Sequence, residues 1–446
     1  MQQPAASPLR RQLGLFDLVL FNIAAVTSMR WLAAAAHAGP ISVALWLIAG
    51  AFFFVPSALA VAALARRYPA EGGLYVWARE SFGEWHGFLC GFTYVLSNLL
   101  YFVSLSLAII SVGATLIGGV FSDGAMLVGA LALIWAATII SIAGGRVSKW
   151  IGNLTAAFTC ITATALVVTG IFSASYGFTT AITKVAWNWQ SLNLWSQLAF
   201  AYVGLELGAV MAGETRDPLR TIPRAAILSG IAIATFYVFG TLAVLSLLSP
   251  PDVSPVIGLA QAFQAAERRF SIPGFGMVFS VTTMIAMTGQ LGAWIAGGGR
   301  LPFVIGLDRY LPPLLGALHP RFGTPWVALV AQAVAASVLG IAFAAGETTR
   351  AAYQLLVDVT VLLTFIPFLY IFAASWKGGL RSPAVMGLLV TLLAMALSVV
   401  PPPEAASIWL FELKVVGGSV LLIGCGWLNY RYAKRAGQGV SASPVR

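Results

Sequence analysis

The chain has 446 residues, of which 59% are hydrophobic and 9% are charged. A soluble domain carries about 25% charged residues, so this composition excludes an ordinary water-facing surface and indicates apolar side chains that face lipid. The net charge of +10 does not indicate nucleic-acid binding, because no basic stripe interleaved with aromatic residues occurs on a polar segment.

Long apolar runs follow one another along the chain. Residues 43–65, 87–122, 150–183, 225–251 and 270–299 contain no Asp, Glu, Lys or Arg. Because about 20 helical residues cross the hydrocarbon of a bilayer, the sequence predicts an all-α polytopic membrane protein with twelve transmembrane helices. The cores of these helices begin near Phe16, Val43, Gly87, Ala125, Trp150, Leu194, Ala225, Pro273, Trp326, Ala352, Ala384 and Ser407.

The loops predict the orientation. Nineteen Lys and Arg residues fall in the predicted inner segments, whereas the outer loops hold only Lys184, Arg268, Arg269 and Arg350. This bias places both termini in the cytoplasm and the chain in the cytoplasmic (inner) membrane, surrounded by lipid. The longest inner loops, residues 66–86 and 297–325, are too short for a soluble catalytic domain and predict short amphipathic helices.

Motifs for enzymatic and cofactor chemistry are missing from the sequence. It contains neither a Walker A loop nor a His-Glu-x-x-His run, and its three His residues are scattered. We therefore predict no cofactor, no metal site and no enzyme activity. An intramembrane enzyme remains the alternative class, although it needs paired His or Asp residues near one membrane face.

The first predicted helix contains a polar interruption. The apolar run from Phe16 gives way to a short segment that includes Arg30, about a dozen residues and roughly 18 Å past Leu18. An Arg at that depth faces a partner or a water-filled cavity; a structural ion pair and a side chain that snorkels to the outer surface are the alternatives. We predict that this segment binds solute through Ala25, Val26, Thr27, Ser28 and Arg30.

A second interruption lies in the sixth predicted helix. Gly204 weakens the helix there, and Glu206 lies near the middle of the span. A carboxyl group in a low dielectric favours its neutral form, so Glu206 is a candidate for proton exchange; the alternative is a carboxylate that neighbouring N–H groups satisfy. The predicted binding residues of this break are Phe200, Ala201, Tyr202, Val203 and Gly204. Asp358 in the tenth helix is a third candidate ionisable group.

The sequence resembles the amino acid–polyamine–organocation (APC) permease superfamily. The sixth helix and the loop after it carry the clearest match, with FAYVGLE at 200–206, AGE at 212–214, and Pro218, Arg220 and PRA at 223–225. The first inner loop matches in RYP at 67–69, EGGLYVW at 71–77, Phe82-Gly83 and Gly87-Phe88. Together these motifs are specific, although each one alone is weak.

The resemblance implies a fold like that of the leucine transporter. Residues 13–173 and 192–375 would form two inverted repeats of five helices, and residues 382–430 would add two outer helices. Both suspected breaks fall in the first helix of a repeat, where this fold places them; the fold is the type example of such breaks, so the agreement is a check of consistency. Similarity also implies that Phe200 is an aromatic lid over the solute, with Tyr94 and Asn98 facing the cavity.

Two departures from the family pattern affect the predicted mechanism. The unwound part of the first helix is Gly-Ser-Gly-like in the family but Ala25-Val26-Thr27 here, and the lysine of some proton-coupled members is replaced near Cys160, Ile161 and Thr162. Proton coupling would therefore use Glu206, Arg30 or Asp358. A sodium site that includes Thr282, Thr283 and Thr288 is the alternative.

The sequence thus predicts a secondary active transporter that moves an amino acid by alternating access, coupled to protons or to exchange. A permease for polyamines or other amines is the nearest alternative.

Overall fold

The computed structural model describes residues 13–68, 72–118, 121–175, 189–210, 214–345, 347–400 and 408–436. Its elements are almost entirely helical, and eleven segments of this described part are long and apolar enough to cross a membrane. The prediction of an all-α polytopic membrane protein is therefore confirmed.

The described residues of the first half of the chain form eight α-helices. The first predicted span is divided into two pieces, and a π-helical turn at Gly50–Phe54 interrupts the second span. The helices are α1 (Leu15–Val26), α2 (Met29–His37), α3 (Ile41–Ala49), α4 (Val55–Arg67), α5 (Leu74–Phe82), α6 (Glu84–Ile117), α7 (Asp123–Ala143) and α8 (Gly145–Ser175).

The second half of the chain also begins with a span that is divided into two helices. Its helices are α9 (Trp189–Ala201), α10 (Leu205–Val210), α11 (Pro218–Leu247), α12 (Gly258–Phe270), α13 (Phe275–Gly298), α14 (Arg300–Leu307), α15 (Trp326–Ala344), α16 (Thr349–Lys377), α17 (Arg381–Ser398), α18 (Ile408–Glu412) and α19 (Gly418–Arg435). The eleven membrane-length segments do not include α9 and α10, because each piece is shorter than a span. The predicted count of twelve is therefore not confirmed.

Two short helices occupy the predicted inner loops. The helices α5 and α14 lie in residues 66–86 and 297–325, as the sequence predicts. The helix α12 was not predicted, because its charged end at Arg268 and Arg269 has the pattern of a loop. Its strongly amphipathic sequence is the signal that could have found it.

Burial follows a membrane pattern rather than a soluble one. Apolar Phe16, Ile117, Trp150 and Trp409 each expose 70% or more of their surface, whereas Arg30, Glu206 and Asp358 are buried. Such outward-facing apolar residues fit lipid, and buried ionisable groups in a span usually have a functional role.

The packing of the helices places the divided spans in the centre. The helix α6 runs along α16, and α13 packs against both α6 and α8. The helix α1 lies between α11 and α13, while α2 contacts α9. The two divided spans therefore contact each other and pack against α11, α13, α16 and α17.

Candidate functional site

Both predicted breaks are present in the structure. Between α1 and α2, Thr27 and Ser28 adopt extended backbone, with φ/ψ of −70°/98° and −107°/117°. Between α9 and α10, residues 202–204 form a turn in which Gly204 has a φ of +130°, a conformation that L side chains rarely adopt. Glycine adopts this backbone conformation without steric cost, so Gly204 allows the sixth predicted span to break at this position.

The two breaks lie against each other. A Cβ atom added to Gly204 would approach Cγ2 of Val26 to 2.9 Å and the indole of Trp294 to 3.4 Å. Since Gly204 has no side chain, the second break can pack directly on the first.

Tyr237 of α11 joins the backbones of both breaks through one hydroxyl group. Its Oη accepts from the backbone N–H of Ser28 at 3.2 Å and lies 2.7 Å from the carbonyl oxygen of Val26 and 2.9 Å from that of Ala201. The ring stacks on Trp46 at a centroid distance of 4.2 Å. Tyr237 therefore satisfies backbone groups that the interruptions leave without helical partners.

The helix α13 satisfies another exposed carbonyl of the first break. The carbonyl oxygen of Ala25 accepts from Nε2 of Gln290 at 2.9 Å and from Nε1 of Trp294 at 2.7 Å. These two donors satisfy a carbonyl group at the end of α1, as non-helical backbone within a span requires.

Arg30 lies in the first turn of α2 with its guanidinium group inside the protein. Its Nη1 donates to Oγ of Ser104 at 3.2 Å, and its Cζ lies 4.3 Å from the ring centroid of Trp31, 4.8 Å from that of Tyr101 and 5.6 Å from that of Tyr353. Its Nε and Nη2 have no hydrogen-bond partner among the described residues. The expected alternative of a structural ion pair finds no support there, because none of the acidic side chains described pairs with Arg30.

Glu206 begins the continuation of the sixth span. Its Oε1 accepts from the hydroxyl of Tyr94 at 2.6 Å, and its Oε2 accepts from the backbone N–H of Gly204 at 3.0 Å. Both oxygens therefore have donors, and the carboxyl group shapes the second break directly. This geometry is compatible with a role in proton exchange and with the purely structural alternative.

An aromatic cluster connects the surroundings of Arg30 with the second break. Phe200 meets Trp31 edge-to-face at 5.7 Å and Tyr101 at 6.0 Å, and Tyr101 lies 4.8 Å from Trp294. The structure thus brings Phe200 beside the first break, where a lid was predicted. Every predicted binding residue of both breaks is buried.

Three other predicted groups lie outside this cluster. Asp358 accepts from the amide groups of Gln354, at 3.2 Å, and Gln197, at 3.5 Å, so it links α16 to α9 through neutral donors. Asn98 lies against Gly298 of α13, and its Nδ2 has no partner among the described residues. The hydroxyl groups of Thr282, Thr283 and Thr288 donate to carbonyls of their own helix, and Thr282 also accepts from Thr162 at 2.9 Å.

Comparison with known proteins decides the family. The family model described as amino acid permease matches residues 13–406 of this chain. The chain belongs to the amino acid permease family. The permease is therefore a multi-pass membrane transporter and not an enzyme.

Named relatives cover most of the permease. It is 27% identical to an uncharacterized transporter of Legionella pneumophila over 94% of this chain and 96% of the relative. It is 26% identical to the serine/threonine exchanger SteT of Bacillus subtilis, over 74% and 76% of the two chains. It is 23% identical to the probable agmatine/putrescine antiporter AguD of Lactococcus lactis, over 82% and 80%.

Several residues of the site were not found from the sequence. Tyr237, Tyr101 and Trp294 lie in apolar spans, where an aromatic residue is ordinary and gives no signal. Gln290 is different, because a carboxamide inside an apolar helix needs a partner, and this could have marked the inward face of α13.

The predicted inner side of the permease carries two polar links. Arg300 binds Oε1 of Glu214 through Nη2 at 2.6 Å and Nε at 2.9 Å. Asp308 accepts from the hydroxyl of Tyr75 at 2.5 Å and forms an ion pair with Arg79. These links connect the segments that follow the second, sixth and eighth spans.

Proposed function

We propose that the permease is a secondary active transporter that carries an amino acid across the cytoplasmic membrane by alternating access. The observation that supports this most directly is the contact between two broken helices, with Arg30 and Glu206 buried beside them. Non-helical backbone at membrane depth is tolerated only where protein or a polar cavity surrounds it, and transporters use such breaks to bind solute.

In the proposed binding mode, the first break holds the carboxylate of the amino acid and the carbonyl groups of the second break hold its ammonium group. The first break contributes residues 25–28 and Arg30, and the second contributes residues 200–204. Phe200 covers the solute from the side of Trp31 and Tyr101.

The burial of the site supports alternating access. Since the predicted binding residues are all buried, a solute can reach them only when the surrounding helices move. We propose that residues 13–173 and 192–375 rock against each other as inverted repeats, with residues 382–430 outside them. Both termini would face the cytoplasm.

Transport would be driven by protons or by exchange. Glu206, Asp358 and Arg30 are the proposed coupling groups, because they are ionisable and buried in the spans. Exchange is supported by the relative from Bacillus subtilis, which is named as an exchanger. Sodium coupling through Thr282, Thr283 and Thr288 is the less favoured alternative; each hydroxyl donates within its own helix, and the oxygen of Thr282 also accepts from Thr162.

Uptake into proteoliposomes tests this proposal. The purified permease should accumulate or exchange at least one labelled amino acid, and an imposed pH gradient should change the rate if protons are coupled. Liposomes without protein are the control. A polyamine that exchanges where no amino acid does would favour the second candidate, an amine permease, which the antiporter relative suggests. No accumulation or exchange of any amino acid or polyamine would contradict both.

A further inference from the structure

The unpaired atoms of Arg30 form one continuous edge of the guanidinium group. A guanidinium group has five N–H donors in a fixed plane, and the N–H of Nε lies parallel to one N–H of Nη2. Nη1 donates a hydrogen bond to Oγ of Ser104, whereas Nε and Nη2 have no partner among the described residues. This free edge matches the two oxygens of a carboxylate, which bind such a fork in parallel.

Aromatic rings cover the rest of the group. Trp31, Tyr101 and Tyr353 lie within 5.6 Å of Cζ, a distance at which a cation interacts with an aromatic face. These contacts stabilise the positive charge, and the phenol group of Tyr101 also interacts with Arg30, but Nε and Nη2 keep no hydrogen-bond partner among the described residues. The Nε and Nη2 edge therefore offers an incoming ligand two unused donors side by side.

The charge of Arg30 is not balanced inside the described part of the protein. It is 2% exposed, and no described carboxylate forms an ion pair with it. Arg30 lies in the first turn of α2, and the N-terminus of this helix adds positive potential. An uncompensated buried charge is costly, and a ligand that brings a negative charge removes this cost.

We infer that the Nε and Nη2 edge of Arg30 is a carboxylate receptor that makes the permease select solutes with a carboxylate group and reject amines that lack one. This inference rests on the proposed function and deepens it by naming the substrate class. A diamine would bring positive charge toward an unbalanced guanidinium group and would leave its free edge unsatisfied. The permease would thus differ in substrate from the relative named as an agmatine/putrescine antiporter.

Matched solute pairs on the unmodified permease provide the first test. Arginine and agmatine, ornithine and putrescine, and serine and ethanolamine each differ only by the carboxylate group. In counterflow and competition assays, the carboxylate member of any recognised pair should bind at least about tenfold more tightly than its decarboxylated partner. Equal binding of both members of a recognised pair would overturn the inference while leaving transport intact.

The variant Arg30→Lys provides the second test, because lysine keeps the charge but has no planar fork. It should lose about tenfold or more in affinity for the carboxylate member, with correct folding checked by its elution profile in detergent. Arg431→Lys is the matched control, since Arg431 also lies over an aromatic ring, Trp427 at 4.8 Å, but is exposed and outside the site. If Arg30→Lys kept the wild-type affinity, the carboxylate would not depend on the Nε and Nη2 edge, and the inference would be wrong. If no solute of either kind is transported by the wild type, the proposed function fails and this inference fails with it.

Discussion

The hydroxyl of Tyr94 donates to Oε1 of Glu206 over 2.6 Å, so a residue of the third span holds the carboxyl group that shapes the break in the sixth. The other oxygen of Glu206 accepts from Gly204 within the break itself. Any change in protonation of Glu206 therefore acts on the backbone of the second break and on α6 at once.

The variant Glu206→Gln should remove the response of transport to pH. Glutamine keeps the size of the side chain but cannot exchange a proton, and its oxygen can replace only one of the two acceptors that Tyr94 and Gly204 use. Uptake of the transported amino acid, measured with and without a pH gradient, should become insensitive to the gradient. Glu267→Gln is the matched control and should keep the pH response, because it makes the same change in a carboxylate that accepts from the backbone N–H groups of Gly274 and Gly276, outside the breaks. An unchanged pH response in Glu206→Gln would exclude Glu206 as the proton site.

The variant Tyr237→Phe should lower both stability and transport. It leaves Ser28 N–H and the carbonyls of Val26 and Ala201 without their shared partner, at a cost of about 1–3 kcal/mol. The apparent melting temperature in detergent and the uptake rate should both fall. Tyr432→Phe removes a hydroxyl from an exposed tyrosine and should change neither. Full transport by Tyr237→Phe would show that the breaks do not need this link.

The variant Gly204→Ala should impair transport more than it impairs folding of the outer helices. A Cβ there would meet Val26 at 2.9 Å, and the backbone φ of +130° is strained for alanine, at a cost of about 1–3 kcal/mol. Gly424→Ala in α19 is the control, because a Cβ there meets no atom within 4 Å. Uptake rates of the two variants, normalised to the amount of folded protein, provide the measurement. Equal rates would mean that the close contact of the breaks is dispensable.

The variant Asp308→Asn should weaken the attachment of α5 on the predicted inner side. Tyr75 and Arg79 both bind this carboxylate, and the pKa of Tyr75 is raised by burial and then by the charge of Asp308, so its hydroxyl stays a protonated donor at neutral pH. Burial acts to lower the pKa of Arg79, but Asp308 and its neighbours outweigh this and raise the pKa, so Arg79 stays charged. Amide hydrogen exchange in α5 should accelerate by about tenfold. The exposed pair of Arg220 and Asp217 offers the control variant Asp217→Asn, which should leave exchange in α5 unchanged.

Sequence patterns located the breaks because their residues contrast with the surrounding apolar helix. Arg30, Gly204 and Glu206 stand out by charge or by helix propensity, and each lies at or beside an interruption in the structure. The roles of these residues in binding and coupling remain predictions.

The partners of the breaks could not be predicted in the same way. Tyr237 lies more than 200 residues from Ser28, and Trp294 lies 269 residues from Ala25. Periodicity describes which face of one helix is buried, but it does not state which distant helix covers that face. The free edge of Arg30 could not be predicted either, because it depends on Ser104 binding one nitrogen and on the other two having no partner in the part of the chain that the structure describes.

Tyr237 has a single hydroxyl hydrogen and two carbonyl oxygens within 2.9 Å. Full donation to Val26 leaves Ala201 under-satisfied, and full donation to Ala201 does the reverse. The first and sixth spans therefore share one hydroxyl proton, and the ammonium group of a bound solute would be a second donor for these two oxygens. If that ammonium group donated to one of the two oxygens, the hydroxyl of Tyr237 would donate to the other.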